Sequence, residues 1–164
     1  MPWAMLEPIG LNQRIEYMRR ARASFDNDKD YVFGVFDRAE RRVLGGCGLH
    51  KRSTPNSLEI GYWIRADSLR QGLCTELSAV LTHVALQRCG VERVDIHCDP
   101  DNLASRGVPA KLGYQFDAVL RRRARTPQGA ERGTAIWSLF ADELANSPCA
   151  NIAYDAFDAC GSQS

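Results

Sequence analysis

The stretch LEIGYWIRADSLRQGLCT, Leu58 to Thr75, decides the fold because it runs from a strand through a turn into a helix. Residues 58–64 are rich in branched and aromatic side chains, and they follow the turn-forming Ser53-Thr54-Pro55-Asn56-Ser57. From Leu73 onward, Leu77, Val80, Leu81, Val84 and Ala85 recur at helical spacing until Gly90, a residue suited to a left-handed helix stop. Residues 94–98 then read as another strand. A strand, a long helix and a second strand within about forty residues form a βαβ unit, which predicts parallel strands and a right-handed crossover.

Upstream, residues 30–37 (DYVFGVFD) and 42–50 (RVLGGCGLH) are β-rich and joined by a hairpin loop, Asp37-Arg38-Ala39-Glu40-Arg41. The sheet therefore starts as an antiparallel meander. Before it, Leu11, Ile15, Met18 and Phe25 share one face of an amphipathic helix over residues 11–25. Downstream come the turn Asp99-Pro100-Asp101-Asn102, a short helix over 103–112 stopped by Gly113, and a final hairpin of residues 114–123 and 134–140 around Thr126-Pro127-Gln128-Gly129. The expected fold class is α+β, a mixed and mostly antiparallel sheet around a central parallel βαβ unit. Residues 1–145 read as one domain. Residues 146–164, rich in Ala, Ser, Asn and Asp, read as a loose or surface-docked tail.

A chain of 164 residues with 45% hydrophobic content supports one core. Its formal net charge of +1 gives no global reason for a nucleic-acid or acidic-membrane partner. No long apolar segment and no basic leader is visible, so a cytoplasmic location is the default expectation. The six cysteines include no C-x-x-C pair and no close cluster, which favours free thiols over a disulfide frame or a metal site.

In an open α/β sheet, ligands settle beyond the carboxyl ends of parallel strands, where the next helix begins. Here that place is residues 65–75. The first turn of the helix starting at Leu73 offers unpaired N–H groups and a positive dipole end, and Gly72 lets a bulky anion approach the backbone. With Arg70 and Gln71 as further donors, a diphosphate fits the place; a solvated turn before a helix is the bland alternative. G-x-x-x-x-G-K-[ST] is absent, and Gly45-Gly46-Cys47-Gly48 sits inside a strand, where it cannot serve as a dinucleotide fingerprint.

Taken in order, residues 58–64, the Arg70–Thr75 turn, Thr75-Glu76, Asp99-Pro100-Asp101-Asn102, Ser105 and Lys111-Leu112-Gly113-Tyr114 resemble the GNAT acetyltransferases, and within them the RimJ/RimL-like branch. The resemblance covers roughly residues 30–140. It implies acetyl-CoA as co-substrate, no metal, and an amine as acceptor. It also implies that Trp63, Ile64 and Arg65 line the pantetheine arm and that Arg70, Gln71, Gly72, Leu73, Cys74 and Thr75 hold the diphosphate. Asn102 and Ser105 resemble the polar pair beside the thioester. Three departures stand out. Leu69 occupies a position often held by Arg or Gln. Cys74 replaces a usual Gly or Ala, either as a reactive thiol of lowered pKa or as a small packing residue. Pro109 stands where many relatives carry a proton-donating Tyr, and it cannot donate to the Ser105 carbonyl. The resemblance further implies a strand before the point where this chain opens with Met1-Pro2-Trp3-Ala4-Met5. Either the true start lies upstream or this chain has a reduced edge, which would favour association, for example as a homodimer, or instability.

Amine acetylation needs a neutral nucleophile, a polarised carbonyl and a proton for the departing thiolate. For the base, the resemblance points to an acid in the region of Glu59; a salt-bridged strand carboxylate is the structural alternative. His50, ending the neighbouring strand, ranks second because an imidazole titrates near neutrality. Ser105 is the candidate donor to the thiolate, or alternatively a capping hydroxyl. The acceptor is either a peptide N-terminus or a small-molecule amine, and the first helices and the variable hairpin loop near residues 121–132 are where the resemblance would seat it. The arginines from Arg121 to Arg125 suit an acidic partner, RNA or the cofactor's outer phosphate, or simply a solvated strand end. The rival from another class is a non-catalytic acyl-CoA-binding or regulatory module.

Overall fold

The computed structural model describes residues 10–52, 54–126, 128–157, 162 and 163. The opening Met1-Pro2-Trp3-Ala4-Met5, together with Ser53, Pro127 and Cys160, lies outside them. The elements in chain order are α1 (Leu11–Asp26), β1 (Asp30–Phe36), β2 (Val43–His50), β3 (Ser57–Ile64), α2 (Leu73–Gln87), β4 (Arg93–Cys98), α3 (Leu103–Lys111), β5 (Gln115–Arg125) and β6 (Glu131–Phe140). The strands form one sheet in the order β1-β2-β3-β4-β6-β5. Only β3 and β4, the two that flank α2, run parallel; the other four pairings are antiparallel. This is the mixed sheet around a βαβ unit that the period change at residues 58–75 predicts.

The core follows from the two-residue period of the strands. Leu58 faces Val94 and Ile60 faces Ile96 across the parallel pair, with Leu49 of β2 beside Ile60 and Leu139 of β6 beside Val94. All six are buried, and Ala79, Leu81, Ala85 and Leu86 of α2 cover them. Each such side chain contributes roughly 1.5–3 kcal/mol relative to exposure. One polar link crosses this layer: the Thr82 hydroxyl lies 2.6 Å from the Tyr114 hydroxyl, both buried. After β6 a 3-10 turn (Ala141–Asn146) brings the chain back to the core. There Ser147 Oγ donates to the Leu112 carbonyl at 2.7 Å, and Cys149 is wholly buried.

Two elements depart from expectation. The amphipathic α1 is present, but none of its residues is buried; Leu11 is 72% exposed and Met18 65%. Among the described residues, Phe25 of this helix meets aromatic neighbours, edge-on to Tyr31 and Phe33 of β1 at 5.5 and 5.6 Å. The final hairpin is longer than expected, since β5 continues past Arg123 to Arg125 and β6 starts at Glu131 and not at Thr134. A bulge between Leu120 and Ala124, with Arg122 at φ 56°, absorbs the irregularity before Ala124 pairs with Arg132 and Arg125 with Glu131. The Arg122–Glu131 ion pair at 2.9 Å shows why a charged run can remain a strand.

Candidate functional site

The parallel ladder between β3 and β4 ends at the pair Ile60↔Ile96, whereas β3 continues to Ile64 and remains paired to β2 through Gly45↔Ile64. Among the described residues the two strands share no ladder pair beyond Ile60, so a cleft opens between Gly61–Ile64 and the end of β4. The cleft points toward the start of α2. A 3-10 turn (Ala66–Ser68) and the turn at Arg70 join β3 to that helix.

Gly72 caps α2 in the left-handed region (φ 82°), and no atom lies within 4 Å of where a Cβ would project. Its carbonyl accepts from the N–H groups of Thr75 and Glu76 at 2.9 and 3.0 Å. Among the described residues no backbone partner reaches the N–H groups of Gly72, Leu73 and Cys74. The helix start is thus an open array of donors at the positive end of the dipole. Arg70 also takes a left-handed conformation (φ 62°), which any residue other than glycine adopts at a cost. Arg65 is less available than the sequence suggests. Its guanidinium grips Asp67 at 2.9 Å, a carboxylate that Arg42 also holds at 2.6 Å. Hydrogen bonds from Arg65 and Ser68 hold the Asp67 carboxyl well below the usual carboxylate range. Cys74 is half-buried against the core, and burial pushes its thiol up, which favours the small packing residue over the reactive thiol.

On the α2 side of the cleft, Tyr62 is 8% exposed and reaches across to α3. Its hydroxyl lies 3.1 Å from Ser105 Oγ and 3.2 Å from the Ser105 carbonyl. Asn102 Oδ1 accepts from the Ser105 N–H at 3.0 Å and so caps α3. The capping role considered for Ser105 therefore belongs to Asn102. The hydroxyl of Ser105 instead meets Tyr62.

The opposite face of the sheet carries the titratable groups. Glu59 pairs in register with His50 on β2 and with Asp95 on β4, which puts all three side chains on one face. Glu59 is 13% exposed, with Oε2 3.1 Å from His97 Nδ1 and Oε1 3.5 Å from Arg52. Burial alone would raise its carboxyl, but the His97 hydrogen bond and the charges of His97, Arg52 and His50 outweigh it and leave the pKa below the ordinary value. His50 Nδ1 lies 2.5 Å from Asp30 Oδ1. The ring's other nitrogen faces Gly48 and Gly61: a Cβ on either would come within 2.9 or 3.0 Å of Nε2. A salt-bridged strand carboxylate thus describes Glu59's geometry; the sequence assigned its partner His97, like Asp30 and Tyr62, no role in the site. Strand alternation carries the signal for His97, because it stands two residues after Asp95 and shares its face. Asp30 is visible only once β1 and β2 are in register, with Asp30 opposite His50.

A family model described as an acetyltransferase (GNAT) domain matches residues 1–115. An uncharacterized N-acetyltransferase, YoaA of Bacillus subtilis (strain 168), is 25% identical over 113 residues, 68% of this chain; the match spans 64% of that protein's length. Among solved structures, RimJ of Mycobacterium smegmatis in complex with CoA-disulfide superposes with a TM-score of 0.75 at 20% identity, covering 85% of this chain and 66% of that one. RimL, a ribosomal L7/L12 alpha-N-protein acetyltransferase in complex with coenzyme A, gives 0.71 at 16% identity over 80% of this chain and 73% of its own. At these identities the structural matches speak for the fold.

Proposed function

The chain belongs to the GNAT acetyltransferase family, whose model covers more than half of it, and from that premise we propose that it binds acetyl-CoA in the β3/β4 cleft and transfers the acetyl group to a primary amine. The single observation that carries the reading is the parting of β3 and β4 after Ile60↔Ile96, next to a helix start at Gly72 with no side-chain cap. An extended amide chain can add to Gly61–Ile64 as a strand would, with Trp63, Ile64 and Arg65 along it. A diphosphate then reaches the N–H groups of Gly72, Leu73 and Cys74, flanked by Arg70, Gln71 and Thr75.

In this reading the thioester lies between the end of β3 and the first turn of α3, beside Asn102 and Ser105. The amine approaches from the face that carries Glu59 and His50. Its lone pair forms the C–N bond while the C–S bond breaks with its electrons left on sulfur. The proton lost by nitrogen passes, directly or through water, to Glu59; Ser105 donates a hydrogen bond to the thiolate. His50 is the second candidate base, and the observation in its favour is the Asp30 contact, which fixes the ring with Nε2 turned toward Gly61. The acceptor we favour is a protein N-terminus, because RimJ- and RimL-type folds stand among the structural neighbours.

Calorimetry with acetyl-CoA followed by thiol release over a panel of N-terminal peptides and small amines tests the proposal. Binding with turnover on at least one amine is expected. Binding without turnover on any of them would favour the non-catalytic acyl-CoA module instead.

A further inference from the structure

The buried phenol of Tyr62 has two acceptors on one residue, and the sequence explains why the carbonyl is open. In α3 the Ser105 carbonyl would normally accept from the N–H four residues on, but that residue is Pro109, which has none. Pro109 is fully buried, so water is not the obvious substitute. The Tyr62 hydroxyl supplies the missing donor at 3.2 Å and stands 3.1 Å from Ser105 Oγ. A phenol carries one hydrogen, so it satisfies one of the two oxygens at a time. When it donates to the carbonyl, the Ser105 hydroxyl is free to donate back to the phenol oxygen. When it donates to Oγ, the single Ser105 hydrogen is turned outward.

We propose that Tyr62 is a positioning residue for the leaving sulfur: it switches its hydrogen from the Ser105 carbonyl to Ser105 Oγ, and thereby releases the Ser105 hydroxyl to donate to the coenzyme A thiolate. This rests on the acetyl-CoA reading above and deepens it. No proton leaves Tyr62 in the process. Burial drives its pKa up far beyond neutrality, so it remains a donor throughout, and the electron pair left on sulfur by C–S cleavage is stabilised by the Ser105 hydrogen bond until solvent protonates it.

The test needs no acceptor. Calorimetric affinities of the full chain for coenzyme A and for desulfo-coenzyme A, measured across the range in which the thiol ionises, isolate what the protein does at sulfur. The wild-type preference for coenzyme A should grow as pH rises and the thiolate forms. Ser105→Ala should lower that high-pH preference about tenfold, the value of one hydrogen bond to a charged group. Tyr62→Phe should lower it at least about threefold while leaving desulfo-coenzyme A affinity unchanged, and the double variant should lose no more than Ser105→Ala alone. Adding Pro109→Ala to Tyr62→Phe returns a donor to the carbonyl. That variant should recover melting temperature but not the preference for the thiolate. If the preference returned with stability, Tyr62 would be only a structural plug and the proposal would be overturned. An unchanged preference in Tyr62→Phe overturns it as well. Failure of both ligands to bind wild-type protein overturns the acetyl-CoA reading itself, and this proposal with it.

Discussion

Replacing Gly72 with alanine separates the backbone's role at the start of α2 from its role in stability. Gly72 has φ 82°, and an added methyl meets no atom within 4 Å. The only intrinsic penalty is therefore conformational, roughly 1–2 kcal/mol for an L-residue in the left-handed region. About 0.4–1 kcal/mol of that is offset because alanine also restricts the unfolded chain. A net loss of about 1 kcal/mol lowers Tm by roughly 2–4 °C in a chain of this size. Gly90 provides the control, since it too is left-handed (φ 66°) and has nothing within 4 Å, but it lies past the opposite end of the same helix. Gly90→Ala should lose similar stability. The two should differ in calorimetry with coenzyme A: the Gly72 methyl occupies space that a diphosphate needs, so affinity should fall at least about tenfold, on the order of 1.4 kcal/mol, whereas Gly90→Ala should bind as wild type. Equal affinity for both variants and wild type would refute close approach of an anion to Gly72. Equal weakening in both would show that the loss is merely conformational strain.

The base can be identified by pH. If Glu59 accepts the amine's proton, its lowered pKa keeps it ionised and kcat/KM should show no loss assignable to the base until pH falls below the usual carboxylate range, about 4.3; a limb near 6.5 would transfer the role to a histidine. Glu59→Gln should reduce turnover by about 10²–10⁴ with acetyl-CoA affinity within twofold in calorimetry. Because its folded pKa is depressed, Glu59 contributes stability that is present above the unfolded value and lost as pH falls through the folded one, so the gap in urea midpoint between wild type and Glu59→Gln should narrow on acidification. Thr82→Val strips the buried Tyr114 hydroxyl of its partner at 2.6 Å and should cost about 1–3 kcal/mol by urea unfolding. Ser147→Ala leaves the Leu112 carbonyl without that donor; a loss of roughly 1 kcal/mol in the same assay would verify that residues after the 3-10 turn brace the core.

The order of elements was legible because period and punctuation agree along most of the chain. Leu73 to Ala85 announce a helix, and Gly90 and Gly113 do adopt the left-handed stops expected of them. The helix start at Gly72 was equally readable, since it depends on backbone and needs no particular partner. What sequence withheld depends on register. The pairing of Glu59 with His97, and of His50 with Asp30, joins residues 38 and 20 positions apart in the chain, and only the alignment of neighbouring strands brings them together. At Cys74 the sequence leaves a reactive thiol and a packing residue side by side, and burial, which pushes the thiol up, favours packing. At α1 the pattern was read correctly as amphipathic, yet periodicity says only which residues share a face, and in the described residues Leu11 and Met18 face solvent. Pro109 was read only as a missing donor. The donor that replaces it comes from Tyr62, 43 residues away by separation from Ser105, which local reasoning does not reach.

The parted strands have a thermodynamic consequence. A pantetheine arm laid along Gly61–Ile64 would be a member of the sheet as well as a substrate, so loading and folding become linked equilibria. A ligand held at a hundred times its Kd adds about 2.7 kcal/mol to stability. Melting shifts therefore rank acyl donors before any acceptor is identified. Slowed amide exchange confined to residues 61–64 and the first turn of α2 would map the ligand's path.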